Sequence, residues 1–332
     1  MVKSGVSVLI LSTLVIATIF GFGTWINRAK QPWHHNLRTP LLKDEDSDEL
    51  GEEDGALEDT IQPTESHPPN AATRILARFP FLLEIWYWLL TYWIYQGARA
   101  LSAHFIANNE AIFDQAEHHA LRLLSIENHI PLDLERRLQQ YILKKTPALT
   151  PLLAQIYYSN ATIVITYLVY SYTVFRRKDY QRLRRTLALT NIFAFIIFTF
   201  WHSKSPRFLP AEYGFIDVLH DDEGGSAWMQ NKLQLTIAAM PSLHFGNAVL
   251  VSFGLVCFSP HLLARVFALF WPVTMGVTIF ATASHFVLDA VVGVVVVAFA
   301  YWGNWVMLGL LPVERVVFGF CRLEKPVEVL DE

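Results

Sequence analysis

The sequence predicts an all-α fold, a polytopic membrane helical bundle preceded by an N-terminal anchor helix. Of the 332 residues, 53% are hydrophobic and only 17% are charged, whereas soluble domains usually carry about 25% charged residues. Apolar runs long enough to cross a bilayer recur along the chain. The net charge of −4 adds little, because the charged residues are concentrated in a few segments. Two cysteines, Cys257 and Cys321, are too few for a disulfide framework.

The N-terminal part of the chain divides into an anchor and an acidic linker. The run VSVLILSTLVIATIFGFGTWI, roughly residues 6–26, is long for a signal peptide and lacks a clear small-x-small cleavage site. We therefore expect residues 1–30 to be an uncleaved membrane anchor. Residues 31–78 contain the stretch KDEDSDELGEEDGALEDT together with Gly, Ser and Pro. Such a segment buries too little apolar surface to fold, which predicts a disordered linker.

The predicted membrane domain covers residues 79–315, and a cytosolic tail follows at residues 316–332. Its first span is the run FPFLLEIWYWLLTYWIY, whose Trp and Tyr residues suit the membrane interface. Five further apolar runs follow, at residues 154–175, 186–201, 237–258, 262–283 and 286–311. Together with the anchor, these runs predict about seven spans.

Two stretches near the start of the membrane domain differ from these runs. Residues 111–124 and 131–143 place apolar residues at helical spacing, with charged residues on the opposite face. We expect two short amphipathic helices that lie outside the bilayer or on its surface. His118 and His119 fall on the first helix, outside any HExxH pattern, and we interpret them as solvated surface histidines.

The orientation of the bundle follows from the basic segment RRKDYQRLRR, which separates the runs at 154–175 and 186–201. A basic cluster in a short loop marks the cytosolic side of a membrane. Counting outward from this segment, the loop of residues 202–236 faces the lumen or the exterior.

Three polar clusters interrupt otherwise apolar surroundings: SKSPRFLP at residues 203–210, PSLH at 241–244 and SHFVLD at 284–289. In the predicted topology all three reach the same outward membrane face. Polar residues scattered through a core would not be expected to line up in this way. The clusters therefore predict one active site on the lumenal face of an integral membrane protein, which we expect in the Golgi or the ER.

The histidines of these clusters suggest acid–base and nucleophilic chemistry. His285 and Asp289 are spaced i, i+4, which on a helix places both side chains on one face. A carboxylate beside an imidazole fixes its tautomer and leaves the other ring nitrogen as a base or nucleophile. Alternatively, the two residues form a polar pair that only packs helices. His244 would be the general acid that protonates a leaving group.

Cationic and backbone groups of the other clusters favour an anionic substrate. Pro241 interrupts a helix, so Ser242 and the nearby backbone N–H groups can hold an anion at the new helix N-terminus. Arg207 suits bidentate binding of an oxyanion. Lys204 could add charge, although cations at an interface also contact lipid headgroups. Together, the two histidines, the cations and the backbone N–H groups predict phosphate transfer without a metal or another cofactor.

The three clusters resemble the signature blocks of the type-2 phosphatidic acid phosphatase superfamily. The resemblance is strongest to the branch with inositol phosphorylceramide synthases and related inositolphosphotransferases. In that branch a G-F-x-D element follows the first block, here Gly214, Phe215 and Asp217. The resemblance extends from about residue 98 to residue 310.

The resemblance implies a six-helix phosphatase-like core and a covalent phosphohistidine intermediate. The roles it implies are a nucleophile (His285), a general acid (His244), an orienting carboxylate (Asp289) and phosphate ligands (Arg207 and the Ser242 region). Lys204 is a further candidate for phosphate binding. Ile279 stands six residues before the nucleophile, where typical members carry an arginine. This departure is expected in the transferase-like branch.

We therefore expect a metal-independent lipid phosphatase or phosphotransferase, similar to an inositolphosphotransferase of sphingolipid metabolism. Its partners are a lipid phosphate substrate and the membrane, with no nucleic acid. The acceptor is either water or an inositol- or ceramide-type hydroxyl. Three alternatives stay open: a prenyl diphosphate phosphatase, a catalytically inactive membrane scaffold, and a transporter with a His and Asp proton relay. The sequence indicates no oligomeric state.

Overall fold

A computed structural model describes residues 18, 21, 71–79, 81–106, 110–130, 134–219, 237–321 and 323. Within these residues the fold is all-α, with ten α-helices and no extended strand, which confirms the predicted fold class. The anchor predicted at residues 1–30 lies outside the described residues, except for residues 18 and 21. Most of the predicted linker also lies outside them, but its last eight residues are helical.

The helices and their bounds, in chain order, are α1 (Ala71–Arg78), α2 (Phe81–Ile106), α3 (Glu110–His129), α4 (Leu134–Lys145), α5 (Thr150–Val174), α6 (Arg177–Phe200), α7 (Leu243–Phe258), α8 (Leu262–Ala281), α9 (Val287–Gly303) and α10 (Leu311–Phe320). Short 3-10 turns occur at Pro147–Leu149, Pro206–Phe208, Ala211–Tyr213 and Asn304–Leu310.

Four helical segments of the described chain are long and apolar enough to cross a membrane, so the protein is an integral membrane protein. They are Pro147–Val174, Arg177–Phe200, Leu262–Ala281 and Val287–Phe320. Helix α7 is apolar but has only 16 residues, because Ser242 caps a helix that was predicted to begin near residue 237. Helix α2 covers the Trp- and Tyr-rich run without being among the four segments. The polar N–H and O–H groups of Trp and Tyr make such a run less apolar.

Helix α2 is fixed to the bundle by a buried carboxylate. Glu84 is almost fully buried and accepts hydrogen bonds from Arg177 Nη2 at 2.9 Å and from Tyr180 Oη at 2.8 Å. Arg184 also pairs with this carboxylate. Since a buried charge is stable only when it is paired, part of the predicted basic segment serves to anchor α2 against α6.

Helices α7 and α9 approach each other closely where the polar clusters lie. A Cβ atom on Gly293 of α9 would lie 2.5 Å from the backbone oxygen of Ser242. A Cβ atom on Gly246 of α7 would lie 3.1 Å from the Gly293 backbone oxygen. Small residues allow membrane helices to pack at such distances, so these glycines set the spacing between the ends of α7 and α9.

Helices α3 and α4, which we call the cap, contact the bundle with side chains that were predicted to face water. Helix α4 packs along α8, and α3 contacts α9. His118 is exposed as predicted, but the prediction of a solvated surface residue is wrong for His119. The His119 ring is buried, stacks on Trp201 at a centroid distance of 4.1 Å and hydrogen-bonds the backbone oxygen of His202. The polar face of α3 is therefore partly covered by the segment that follows α6.

Candidate active site

Three segments meet at one end of the bundle: the segment after α6, the start of α7 and the junction of α8 with α9. The Ser203 N–H donates to the backbone oxygen of Ile237 at 2.8 Å, and the Ala239 N–H donates to that of Ser203 at 3.0 Å. The Arg207 N–H donates to the backbone oxygen of Ala283 at 3.0 Å. The three polar clusters of the sequence are therefore neighbours in space.

His285 lies in the loop just before α9, and its side chain is buried. Its Nδ1 is 2.9 Å from the backbone oxygen of Ala239. A carbonyl oxygen can only accept a hydrogen bond, so in the neutral ring Nδ1 carries the proton and Nε2 keeps its lone pair. This is the tautomer that a nucleophile at Nε2 requires.

Asp289 is close to His285, but its shortest hydrogen bond stabilises helix α9. Its Oδ2 accepts a hydrogen bond from the Phe286 N–H at 2.9 Å and lies 3.6 Å from His285 Nδ1. The two side chains were predicted to share one face of a helix. Only Asp289 is helical, because α9 begins at Val287, after the histidine. Asp289 is fully buried, so its charge acts on the nearby imidazole with little screening by water.

His244 occupies the first turn of α7 and faces His285. The two ring centroids are 5.8 Å apart. The His244 ring also stacks on Tyr157 of α5, with centroids 4.1 Å apart and an interplanar angle of 19°. The sequence did not single out Tyr157, because nothing in the run AQIYYSNATIV separates a tyrosine that faces a histidine from one that faces lipid.

Arg207 is a buried cation beside the His285 loop. Its Nη1 donates to Ser284 Oγ at 3.0 Å, and its Nε lies 4.0 Å from Asp217 Oδ1. Within the described part of the chain, this Nε has no hydrogen-bond partner. A buried guanidinium whose donors are not all used is suited to bind an oxyanion. Ser284 Oγ also lies 2.8 Å from Thr282 Oγ1. Arg207 and Thr282 therefore hold Ser284, the residue before His285, from two sides.

The other two predicted phosphate ligands have protein partners. Ser242 is fully buried and caps α7: its Oγ accepts from the Phe245 N–H at 3.4 Å, and its own N–H donates to the Asp289 backbone oxygen at 2.9 Å. Lys204 Nζ forms an ion pair of 2.6 Å with Glu117 of the cap. Ser242 thus positions the first turn of α7, whose N–H groups are the candidates for holding an anion.

The backbone adopts an unfavourable conformation two residues before His285. Ala283 has a φ of 48°, a left-handed conformation that costs a residue other than glycine about 1–2 kcal/mol. Strained residues of this kind cluster at active sites, where the surrounding structure holds them in place. Here the hydrogen bond from the Arg207 N–H to the Ala283 backbone oxygen supplies part of that support.

Two polar residues of the cap that contact the segments around the site were not predicted from the sequence. Gln139 donates from Nε2 to the Ile216 backbone oxygen at 2.8 Å and accepts from the Ile216 N–H at 3.1 Å. Glu127 accepts from the Leu288 N–H at 2.8 Å. Both side chains are fully buried. A helical period shows which residues share a face, but it does not show what covers the polar face.

No set of three or more His, Cys, Asp and Glu side chains in the described ranges is arranged to hold a metal ion. In comparisons with known proteins, a family model described as the PAP2 superfamily matches residues 121–303, more than half of the 332-residue chain. The matched region contains Arg207, His244 and His285. No curated protein and no solved structure is significantly similar to the chain.

Proposed function

The chain belongs to the PAP2 superfamily, and we propose that it transfers the phosphate-bearing group of a membrane lipid through a phosphohistidine at His285. Membership of the superfamily supports lipid phosphate chemistry in general. The observation that supports a phosphohistidine at His285 is the hydrogen bond of 2.9 Å between His285 Nδ1 and the Ala239 backbone oxygen. It leaves Nε2 as the nucleophilic nitrogen of the neutral ring.

In the first step, His285 Nε2 attacks the phosphorus atom, and the bond from phosphorus to the leaving oxygen breaks. The negative charge of the bound phosphate favours the protonated form of His244, which gives its proton to that oxygen. The centroid distance of 5.8 Å between the two rings leaves a gap that one phosphate group can bridge. Arg207 and the first-turn N–H groups of α7 bind the non-bridging oxygens. Asp289 stabilises the positive charge that develops on the attacking imidazole.

In the second step, an acceptor hydroxyl attacks the phosphohistidine, and the nitrogen–phosphorus bond breaks. His244 is now neutral and takes the proton of the acceptor. If the acceptor is water, the enzyme is a lipid phosphatase. If the acceptor is an alcohol, the enzyme is a phosphotransferase.

We further propose that the protein is an inositolphosphotransferase, which would move a phosphoinositol group to a ceramide-type hydroxyl. The G-F-x-D element brings Asp217 to 4.0 Å from Arg207. A carboxylate beside a phosphate site repels phosphate but accepts hydrogen bonds from the hydroxyls of a polyol headgroup. The second support is Ile279, which is fully buried at the position where typical members carry an arginine.

The proposed site faces the lumen of the Golgi or the ER. Helix α6 begins within the basic segment and has 24 residues, which corresponds to about 36 Å at 1.5 Å per residue. The site lies at the opposite end of this helix. Because basic segments of short loops stay in the cytosol, the site would be lumenal.

The test is a turnover assay in detergent with EDTA, which compares the wild type with His285→Ala. The substrates are a panel of lipid phosphates, prenyl diphosphates, and phosphatidylinositol together with ceramide, with free phosphate and transfer product both measured. We expect transfer product from the wild type and at least a roughly thousandfold loss in His285→Ala, because the nucleophile is removed. His118→Ala, which changes an exposed histidine, is the matched control and should keep normal turnover.

The other outcomes of this assay are equally informative. Free phosphate without transfer product would make the enzyme a phosphatase, and turnover of prenyl diphosphates alone would change the substrate class. Near-normal turnover by His285→Ala would show that another residue is the nucleophile. Turnover only when a divalent ion replaces the EDTA would contradict the metal-independent mechanism. A wild type that is inactive across the panel both with EDTA and with a divalent ion would contradict the enzymatic proposal.

A further inference from the structure

The cap contacts the segments of the site at several points. The Ala116 backbone oxygen accepts from the Lys204 N–H at 3.2 Å, and His119 Nδ1 is 2.7 Å from the His202 backbone oxygen. Glu127 reaches the third segment, where α9 begins. A pair of helices outside the spans therefore holds the residues that surround His285.

Of the cap contacts, the one made by Glu127 is nearest to the proposed nucleophile along the chain. It is fully buried, and its Oε1 accepts a hydrogen bond from the Leu288 N–H at 2.8 Å. This N–H belongs to the first turn of α9, where backbone donors have no intrahelical acceptor. Asp289 satisfies the Phe286 N–H of the same turn. Two carboxylates thus fix the turn that directly follows His285, one from α9 itself and one from the cap.

A second buried carboxyl group lies against the first. Glu135 of α4 is fully buried and interacts with Glu127. Asp289 of α9 also acts on Glu127 with its negative charge. Two buried carboxyl groups that interact do not both ionise, and such a pair shares one proton. Burial and the neighbouring Glu135 hold the pKa of Glu127 well above its ordinary range, although the Leu288 N–H lowers it.

We propose that Glu127 is a positioning residue for His285 and holds the start of α9 in place while it shares a proton with Glu135. The inference rests on the proposed function, because the position of His285 affects a rate only if His285 reacts. When the shared proton is lost, two buried carboxylates repel each other and Asp289. The cap then withdraws its acceptor from the Leu288 N–H, and the turn that carries His285 loosens.

Two substitutions separate the hydrogen bond from the titration. In Glu127→Gln, the amide oxygen still accepts from the Leu288 N–H, and the amide N–H₂ donates to Glu135 at every pH. In Glu127→Leu, the acceptor is lost while the side chain keeps a similar volume. Asp114→Asn changes an exposed carboxylate of the same helix and is the matched control.

The first readout is the split between kcat and KM on the substrate that the wild type turns over. We expect Glu127→Gln to keep kcat within about threefold of the wild type. Glu127→Leu should lower kcat by about ten- to a hundredfold with little change in KM, because small displacements of a reacting group cost rates of this size. Equal kcat values for the two variants would overturn the proposal.

The second readout is hydrogen exchange of the backbone amides of residues 284–290, which needs no substrate. Glu127→Leu should exchange several-fold faster than the wild type in this segment, because the Leu288 N–H loses its acceptor. Glu127→Gln and Asp114→Asn should exchange at the wild-type rate. Wild-type exchange in Glu127→Leu would overturn the proposal even if the protein proved to have another activity.

The third readout is thermal stability in detergent as a function of pH. Because the folded-state pKa of Glu127 is raised, its contribution is fully present below the ordinary carboxyl range and is lost as the pH rises through the raised value. The wild type should therefore lose stability relative to Glu127→Gln with increasing pH. If the stabilities of the wild type and Glu127→Gln changed in parallel with pH, the shared proton would be ruled out. This comparison does not require Glu127→Leu to fold. An inactive wild type would contradict the proposed function alone, since exchange and stability still test Glu127.

Discussion

At the scale of single residues, a backbone carbonyl fixes the tautomer of His285, and a buried carboxylate lies next to the ring. The Ala239 backbone oxygen is 2.9 Å from Nδ1, whereas Asp289 Oδ2 is 3.6 Å away. The family resemblance implies that Asp289 orients His285, whereas the shorter contact to the ring is made by the Ala239 backbone oxygen. The loss of the Asp289 charge should therefore slow the reaction without abolishing it.

The substitution Asp289→Asn tests which of the two groups orients His285. The amide oxygen can still accept from the Phe286 N–H, and the Ala239 oxygen still fixes the tautomer of His285. We expect kcat to fall by about ten- to a hundredfold, because a neighbouring opposite charge stabilises an imidazolium to this extent. A single-turnover assay checks it beside His285→Ala. A loss as large as that of His285→Ala would mean that the carboxylate itself orients the ring.

At the scale of helices, the site depends on how closely α9 passes the start of α7. Ser242 donates to the Asp289 backbone oxygen, and Gly293 provides the space next to the Ser242 backbone. His244 and His285 belong to the two elements that meet here. Their separation is therefore set by a contact between backbones rather than by the histidines themselves.

The substitution Gly293→Ala should disturb both stability and turnover. Its Cβ would lie 2.5 Å from the Ser242 backbone oxygen, so the helices must separate, and overpacking of this kind costs about 1–3 kcal/mol. We expect a lower midpoint of thermal unfolding in detergent and at least a roughly tenfold lower kcat. Gly319→Ala in α10, where a Cβ would meet nothing within 4 Å, is the control. An unfolding midpoint of Gly293→Ala equal to that of the control would contradict the close packing.

The helices also show where prediction from the sequence ended. The apolar run at 262–283 predicted a helix that the structure places at Leu262–Ala281, because hydropathy and length suffice for a span. The cap was correctly predicted as two helices, but the exposure of its polar side chains was not: His119 and Glu135 are buried. Periodicity cannot distinguish a polar face in water from one that is covered by loops.

At the scale of the whole molecule, alternating spans bring three distant polar clusters to one end of the bundle. This juxtaposition could be predicted, because it needs only the number and direction of the spans. The partner of His285 Nδ1 could not be predicted, since the acceptor is the backbone oxygen of Ala239 and every residue carries such an oxygen. Backbone contacts of this kind depend on the final packing rather than on residue type.

The most direct test of a phosphohistidine at His285 is to trap the covalent intermediate. The enzyme is mixed in detergent and EDTA with a lipid phosphate that it turns over and that is labelled at phosphorus. The reaction is stopped within one turnover, and the protein is examined for acid-labile, alkali-stable phosphate. We expect a label on the peptide that contains His285, which forms in the wild type and is absent from His285→Ala. Turnover without any bound label, or a label on another residue, would contradict a phosphohistidine at His285.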